Sequence, residues 1–211
     1  MNGSSLNEAF GEQFWDLVAD EIAFNGFAVL NNYISTEQAQ FYRDYINEKS
    51  EQDKLKKAAI GKNLELQRNE AIRGDQILWI DKNSPHVEQF IQKQKGALIE
   101  LNRRLFLGLK DFETHFTHYP SGTFYKRHSD RFSHGSHRVI SFVCYLNQGW
   151  LPEDGGQLLI FKEEETHVID PVECRIVFFR SELEHEVLPT YNDRYSITGW
   201  MLDQKEGLTF L

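Results

Sequence analysis

The chain of 211 residues is 40% apolar and 26% charged, with 23 basic against 32 acidic side chains and a net charge of −9. This length fits one well-filled domain, and the apolar content excludes a largely disordered chain. No apolar run reaches the span of a membrane helix, and the acidic balance argues against nucleic acid as a partner.

The N-terminus, Met1-Asn2-Gly3-Ser4-Ser5, shows neither the basic patch nor the apolar stretch of a secretory signal. Helical spacing dominates from there to about Leu109. Leu6, Phe10, Phe14, Leu17, Val18 and Ile22 form one apolar stripe. Ser35 with Gln38 is a capping box opening a second helix through Tyr42, Tyr45 and Ile46. The charged stretch from Lys49 to Glu70 reads as a solvated helix or loop, or as a mobile lid. Arg73-Gly74-Asp75 reads as a turn before a strand through Ile77 and Trp79. Val87, Phe90, Ile91, Leu98, Leu101, Leu105 and Leu109 make the third stripe.

From Glu113 the pattern changes to short strands and turns. Eight runs are expected, over Thr114–Tyr119, Phe124–His128, Arg138–Leu146, Gln157–Phe161, His167–Asp170, Cys174–Arg180, His185–Leu188 and Arg194–Leu202. Cys144 and Cys174 fall inside them, so the expected setting is a reducing cytoplasm with no disulfide. This density of strands suggests a double-sheet jelly roll, with the preceding helices packed on one sheet in an α+β arrangement. The expectation is one domain over residues 1–211, with 1–110 as mainly helical support plus a substrate loop and 111–211 as the jelly-roll core.

Seven of the eight histidines lie between His115 and His185. In His128-Ser129-Asp130 the imidazole and carboxylate share one side of an extended backbone, because side chains alternate. With His185 they would make the two-His, one-carboxylate face that holds non-haem Fe(II) and leaves three positions open. Chance alone produces roughly 0.5 His-x-Asp pairs in a chain of this composition, so the pair by itself is weak. His115, His118, His134 and His137 are read as non-ligands. Nine residues past His185, alternation puts Arg194, Ser196, Thr198 and Trp200 on one strand face. Arg194 either turns inward, where an anion such as a small dicarboxylate must meet it, or outward to a surface carboxylate.

Further stretches are Ile72-Arg73-Gly74-Asp75, Tyr119-Pro120, Tyr125-x-Arg127-His128-x-Asp130, Gly155-Gly156-Gln157-Leu158, His185-Glu186-Val187 and Arg194-Tyr195-x-Ile197-Thr198-x-Trp200. With them the chain resembles the Fe(II)/2-oxoglutarate-dependent dioxygenases. More narrowly, it is similar to the prolyl hydroxylases of the oxygen-sensing type and their bacterial relatives. The likeness runs from about Ile72 to Asp203. It implies a double-stranded β-helix core and His128, Asp130 and His185 as iron ligands. It also implies that Arg194, Tyr145 and Thr198 bind 2-oxoglutarate, with Tyr119 near the metal-bound end. Asp75, Trp79, Arg138 and Trp200 would surround the substrate proline. Structural readings stand beside these: salt bridges for Asp75 and Arg138, core packing for the two tryptophans.

The resemblance further implies O2 as cosubstrate, help from L-ascorbate, and conversion of 2-oxoglutarate to succinate and CO2. The implied partner is a proline-containing protein substrate, a translation factor among the candidates. The stretch from Tyr119 to His128 is one residue shorter than in the animal enzymes, and that from His128 to Arg138 one longer, so the substrate peptide does not transfer. Two other readings are the same chemistry on a small metabolite or another side chain, and a non-enzymatic jelly-roll module with a structural metal.

Overall fold

The computed structural model describes residues 11–52, 54–57, 72–131 and 136–205. Helix α1 (Glu12–Phe24) buries Trp15, Val18, Ala19 and Ile22. Leu6 and Phe10, expected on the same stripe, lie outside the described residues, and Leu17 points to solvent, 67% exposed. The helix stops because Asn25 and Gly26 cap its last carbonyls, with Gly26 at a φ of +82° that most residues resist. The chain then enters β1 (Phe27–Leu30), a four-residue strand inside the segment expected to be helical. Helix α2 (Thr36–Glu51) opens on the capping box: Gln38 N–H donates to Ser35 Oγ at 3.2 Å, and Ser35 N–H donates to Gln38 Oε1 at 3.1 Å.

Strands β2 (Lys56–Lys57) and β3 (Gln76–Trp79) flank the remainder of the charged stretch, of which residues 53 and 58–71 lie outside the described residues. Arg73-Gly74-Asp75 is not a turn. Gly74 N–H donates to the Phe124 carbonyl and Arg73 bridges Tyr125, so this segment is extended and paired. Helix α3 (Glu88–Leu105) ends earlier than the expected Leu109, where Phe106 turns left-handed at φ +52°.

The eight later strands are β4 (Asp111–Tyr119), β5 (Tyr125–His128), β6 (Arg138–Tyr145), β7 (Leu158–Lys162), β8 (Glu165–Ile169), β9 (Ile176–Arg180), β10 (Glu184–Val187) and β11 (Arg194–Leu202). They form two antiparallel sheets, a seven-stranded one ordered β1-β9-β6-β11-β4-β3-β2 and a four-stranded one ordered β5-β10-β7-β8. The architecture is α+β with a jelly-roll core.

Alternation divides the larger sheet into two faces. Phe116, Phe142, Phe178 and Met201 face the helices, where Tyr42 and Phe90 meet them at ring separations of about 6 Å. Tyr119, Val143, Tyr145, Val177 and Phe179 face the smaller sheet and meet Leu158, Ile160 and Val187. One ladder aligns this inner face: β11 lies between β4 and β6, pairing Arg194 with Tyr119, and Ser196 with both Thr117 and Tyr145.

Phe142 is wholly buried between Phe90 and Phe178. Phe142→Ala should cost about 3–5 kcal/mol in urea unfolding. Leu17→Ala, on the exposed side of α1, should stay within about 0.5 kcal/mol.

Candidate active site

Strands β5 and β10 pair with His128 directly opposite His185, their ring centroids 4.2 Å apart. Asp130 follows two residues beyond the end of β5, where the backbone N–H groups of Asp130 and Arg131 both donate to the Ser181 carbonyl. One ligand atom from each of His128, Asp130 and His185 lies within 4.8 Å of the others. The orientation of the rings suits a metal. Nδ1 of His128 donates to the Lys126 carbonyl at 2.7 Å, and Nδ1 of His185 donates to the Leu183 carbonyl at 3.0 Å. Each Nε2 is thereby left as a lone pair facing Asp130, at 3.8 Å from Oδ1 for His128 and 3.5 Å from Oδ2 for His185. Burial, with His185 adjacent, pushes the His128 imidazole down to about 4, so it is neutral near pH 7. For Asp130, burial acts to raise the carboxyl, but His185, His128 and the Ser141 hydroxyl outweigh it and hold the carboxyl below its usual value. Two imidazoles, each presenting Nε2, and one carboxylate are the donor set for Fe(II).

Arg194 is turned inward and is 1% exposed. Its Nε donates to the Gly156 carbonyl at 2.9 Å, and its guanidinium carbon lies 5.0 Å from the Tyr119 ring and 5.1 Å from the Tyr145 ring. Among the described residues no carboxylate comes within ion-pair distance of it. An unpaired buried cation costs on the order of several kcal/mol, which an anion would recover. The Tyr145 hydroxyl beside it is buried and, among the described residues, has no hydrogen-bond partner; burial pushes its phenol up to about 12, against the pull of Arg194. Burial likewise holds the Tyr119 phenol well above its usual value. A cation with an idle, protonated phenol is the environment a dicarboxylate fits. Thr198 stands four residues farther along β11, its hydroxyl accepting from Thr117 at 3.2 Å.

The four residues expected around the substrate separate into two groups. Trp79, 52% exposed, and the buried Trp200 lie 6.4 Å apart with His115 between them, and Arg138 stacks on Trp200 at 3.5 Å. Arg138 also donates to Glu113 at 2.7 Å. Asp75 is instead buried and consumed by Arg73, which donates to it through Nε at 2.7 Å and Nη2 at 2.5 Å. Arg73 lies over one side of Tyr125 at 4.3 Å, and Tyr125 stacks on His128 at 3.6 Å. Asp75 therefore braces the candidate metal centre from behind. Asp75 and Arg138 are thus each ion-paired, with Arg73 and Glu113 and not with one another.

Sequence reasoning gave no role to Arg73, Tyr125, Gly156 or Ser181. The first three lie within the stretches that carry the resemblance; Ser181 had no signal. His115 and His118 sit outside the triad, His137 pairs with Asp203 at 2.7 Å, and His134 lies outside the described residues.

Comparison with known proteins agrees with this geometry. Residues 114–202 match the 2OG-Fe(II) oxygenase superfamily. A Pseudomonas putida prolyl-4-hydroxylase superposes with a TM-score of 0.81 at 36% identity, over 90% of this chain and 100% of that one. A prolyl hydroxylase from Trichoplax adhaerens, solved with a hypoxia-inducible-factor peptide fragment, also gives 0.81 at 25% identity, over 96% and 94% of the two chains. Mouse prolyl hydroxylase EGLN3 is 35% identical over 151 residues, which are 64% of this chain and 61% of that protein. This chain thus spans less than two thirds of that curated relative. The protein belongs to the 2OG-Fe(II) oxygenase superfamily.

His115, pressed between the tryptophans, is pushed down by burial to about 4, against about 6.5 in an unfolded chain. In that window the unfolded state binds a proton that the folded state refuses, so stability is full above pH 6.5 and declines as pH falls toward 4. His115→Met should reduce the slope of unfolding free energy between pH 4.5 and 6 by about one proton. Equal slopes in urea titrations of the two proteins would contradict the assignment.

Proposed function

We propose that the protein is an Fe(II)- and 2-oxoglutarate-dependent dioxygenase that hydroxylates a prolyl residue of a protein substrate and yields succinate and CO2. The observation that carries this reading is the buried Arg194, with no carboxylate beside it among the described residues, on the same inter-sheet face as the His128–Asp130–His185 group. Strand β6 links the two ends: Ser141 touches Asp130, Tyr145 lies against Arg194, and Val143 stands between them.

In this reading His128, Asp130 and His185 hold the iron, and their fixed Nδ1 protons keep both Nε2 atoms available. Iron, 2-oxoglutarate and O2 together supply oxidative decarboxylation and transfer of one oxygen atom into a C–H bond. Arg194 clamps the distal carboxylate of 2-oxoglutarate, and the Tyr145 hydroxyl donates its idle proton to the same group. Tyr119 walls the cosubstrate on the β4 side. Val143, Val177 and Phe179 keep water from the reacting end. Trp79, Trp200 and Arg138 frame the mouth, where aromatic faces suit the flat, apolar ring of proline.

The prolyl hydroxylases among the relatives, and the peptide bound in the Trichoplax enzyme, support a protein substrate over a metabolite. A loop proline of a translation factor is one candidate. The proposed setting is the cytoplasm, where Fe(II) persists and the free, buried Cys144 and Cys174 stay reduced. Ascorbate, typical of these enzymes, should sustain turnover.

Incubation with Fe(II), 2-oxoglutarate, ascorbate and cell extract should give a one-oxygen mass gain on a proline, with stoichiometric succinate. Succinate release stimulated by metabolites and never by protein would overturn the prolyl assignment. Arg194→Ala should weaken 2-oxoglutarate roughly 100-fold or more while metal affinity holds. Equal loss of both would contradict its role.

A further inference from the structure

We infer that Ser181 and Ser141 form a directed hydroxyl chain that positions the Asp130 carboxylate for metal binding. The inference rests on the reading of His128, Asp130 and His185 as the metal ligands.

Asp130 lies past the end of β5, so no ladder fixes its backbone. Ser181 takes over that task. Its carbonyl accepts from the N–H groups of Asp130 at 3.0 Å and Arg131 at 2.9 Å, and its own N–H donates to the Val139 carbonyl at 3.0 Å. The side chains repeat the arrangement. Ser141 Oγ donates to Asp130 Oδ2 at 2.7 Å, and Ser181 Oγ lies 2.9 Å from Ser141 Oγ. Both serines are buried.

Proton counting sets the direction. An ionised carboxylate only accepts, so the single Ser141 proton is committed to Asp130. The proton between the two hydroxyls must therefore come from Ser181, giving the order Ser181 to Ser141 to Asp130. A donor feeding Ser141 polarises its hydroxyl and strengthens the bond to Oδ2. The bond fixes the rotation of the carboxylate, whose Oδ1 lies 3.8 Å from Nε2 of His128 and Oδ2 3.5 Å from Nε2 of His185.

The same short turn serves a second ligand, because the Leu183 carbonyl, two residues after Ser181, accepts from Nδ1 of His185. Residues 181–183 thus orient Asp130 and His185 together, and Ser141 and Ser181 are positioning residues.

The test titrates the metal-free full chain with Mn(II) under anaerobic conditions and records Co(II) absorption spectra in parallel. His185→Ala serves as the control, and thermal unfolding of each metal-free variant reads the structural cost separately. Ser141→Ala should weaken Mn(II) by about 10-fold and shift the Co(II) bands. Ser181→Ala should weaken it less, by about 3-fold, since Ser141 still donates to Asp130. The double variant should match Ser141→Ala alone, because Ser181 acts only through Ser141. Wild-type affinity in Ser141→Ala, or additive losses in the double variant, would overturn the chain while leaving the triad standing. Wild-type protein that binds metal no better than His185→Ala would overturn the triad reading, and the chain with it.

Discussion

A guanidinium with 1% exposure and, among the described residues, no carboxylate in reach is the most demanding group in this fold. Its placement dictates much of what surrounds it. Arg194 opens β11, which lies between β4 and β6, so its direction follows from a register shared with two neighbours. Its Nε is held by the carbonyl of Gly156, and that position must be glycine for two reasons. The backbone there has φ +65°, and a Cβ would stand 2.8 Å from Arg194 Cδ. Two tyrosine rings complete the enclosure. Among the described residues nothing neutralises the charge, which leaves a deficit that an anionic ligand offsets.

The second demand is the convergence of three ligands from two distant parts of the chain. Cross-strand pairing of β5 with β10 places His128 opposite His185, and the Ser181 carbonyl draws Asp130 toward them. Backbone carbonyls orient both rings, and the column Asp75, Arg73, Tyr125 braces His128 from the other side. Much of the fixing is thus done by main-chain atoms and stacked planes. Such supports hold geometry with little rotamer freedom, which suits a site that must keep open positions open.

All eight later strands were legible in the sequence because short runs rich in apolar and β-branched residues are set apart by turn clusters such as Pro120-Ser121-Gly122 and Asn192-Asp193. The Ser35–Gln38 capping box was legible because its chemistry is local. Strand β1 was not: Phe27–Leu30 is four apolar residues with no alternation, and only its pairing with β9 makes it a strand. The extended state of Arg73-Gly74-Asp75 was hidden similarly, since its partner is the start of β5. Leu17 fitted the apolar stripe by spacing, yet the helix turns it outward. At the site, alternation left the direction of Arg194 open, and the structure turns it inward. The partners of Asp75 and Arg138, and the contact between Ser181 and Asp130, are long-range and left no local signature.

The account centres on one metal and one dianion binding side by side, and linkage makes that measurable. Anaerobic calorimetry of 2-oxoglutarate with and without Mn(II), and of Mn(II) with and without 2-oxoglutarate, tests it most directly. Each ligand should tighten the other by the same factor, at one of each per chain. Affinities that ignore the other ligand, or 2-oxoglutarate binding unchanged after His185→Ala in the presence of Mn(II), would contradict it.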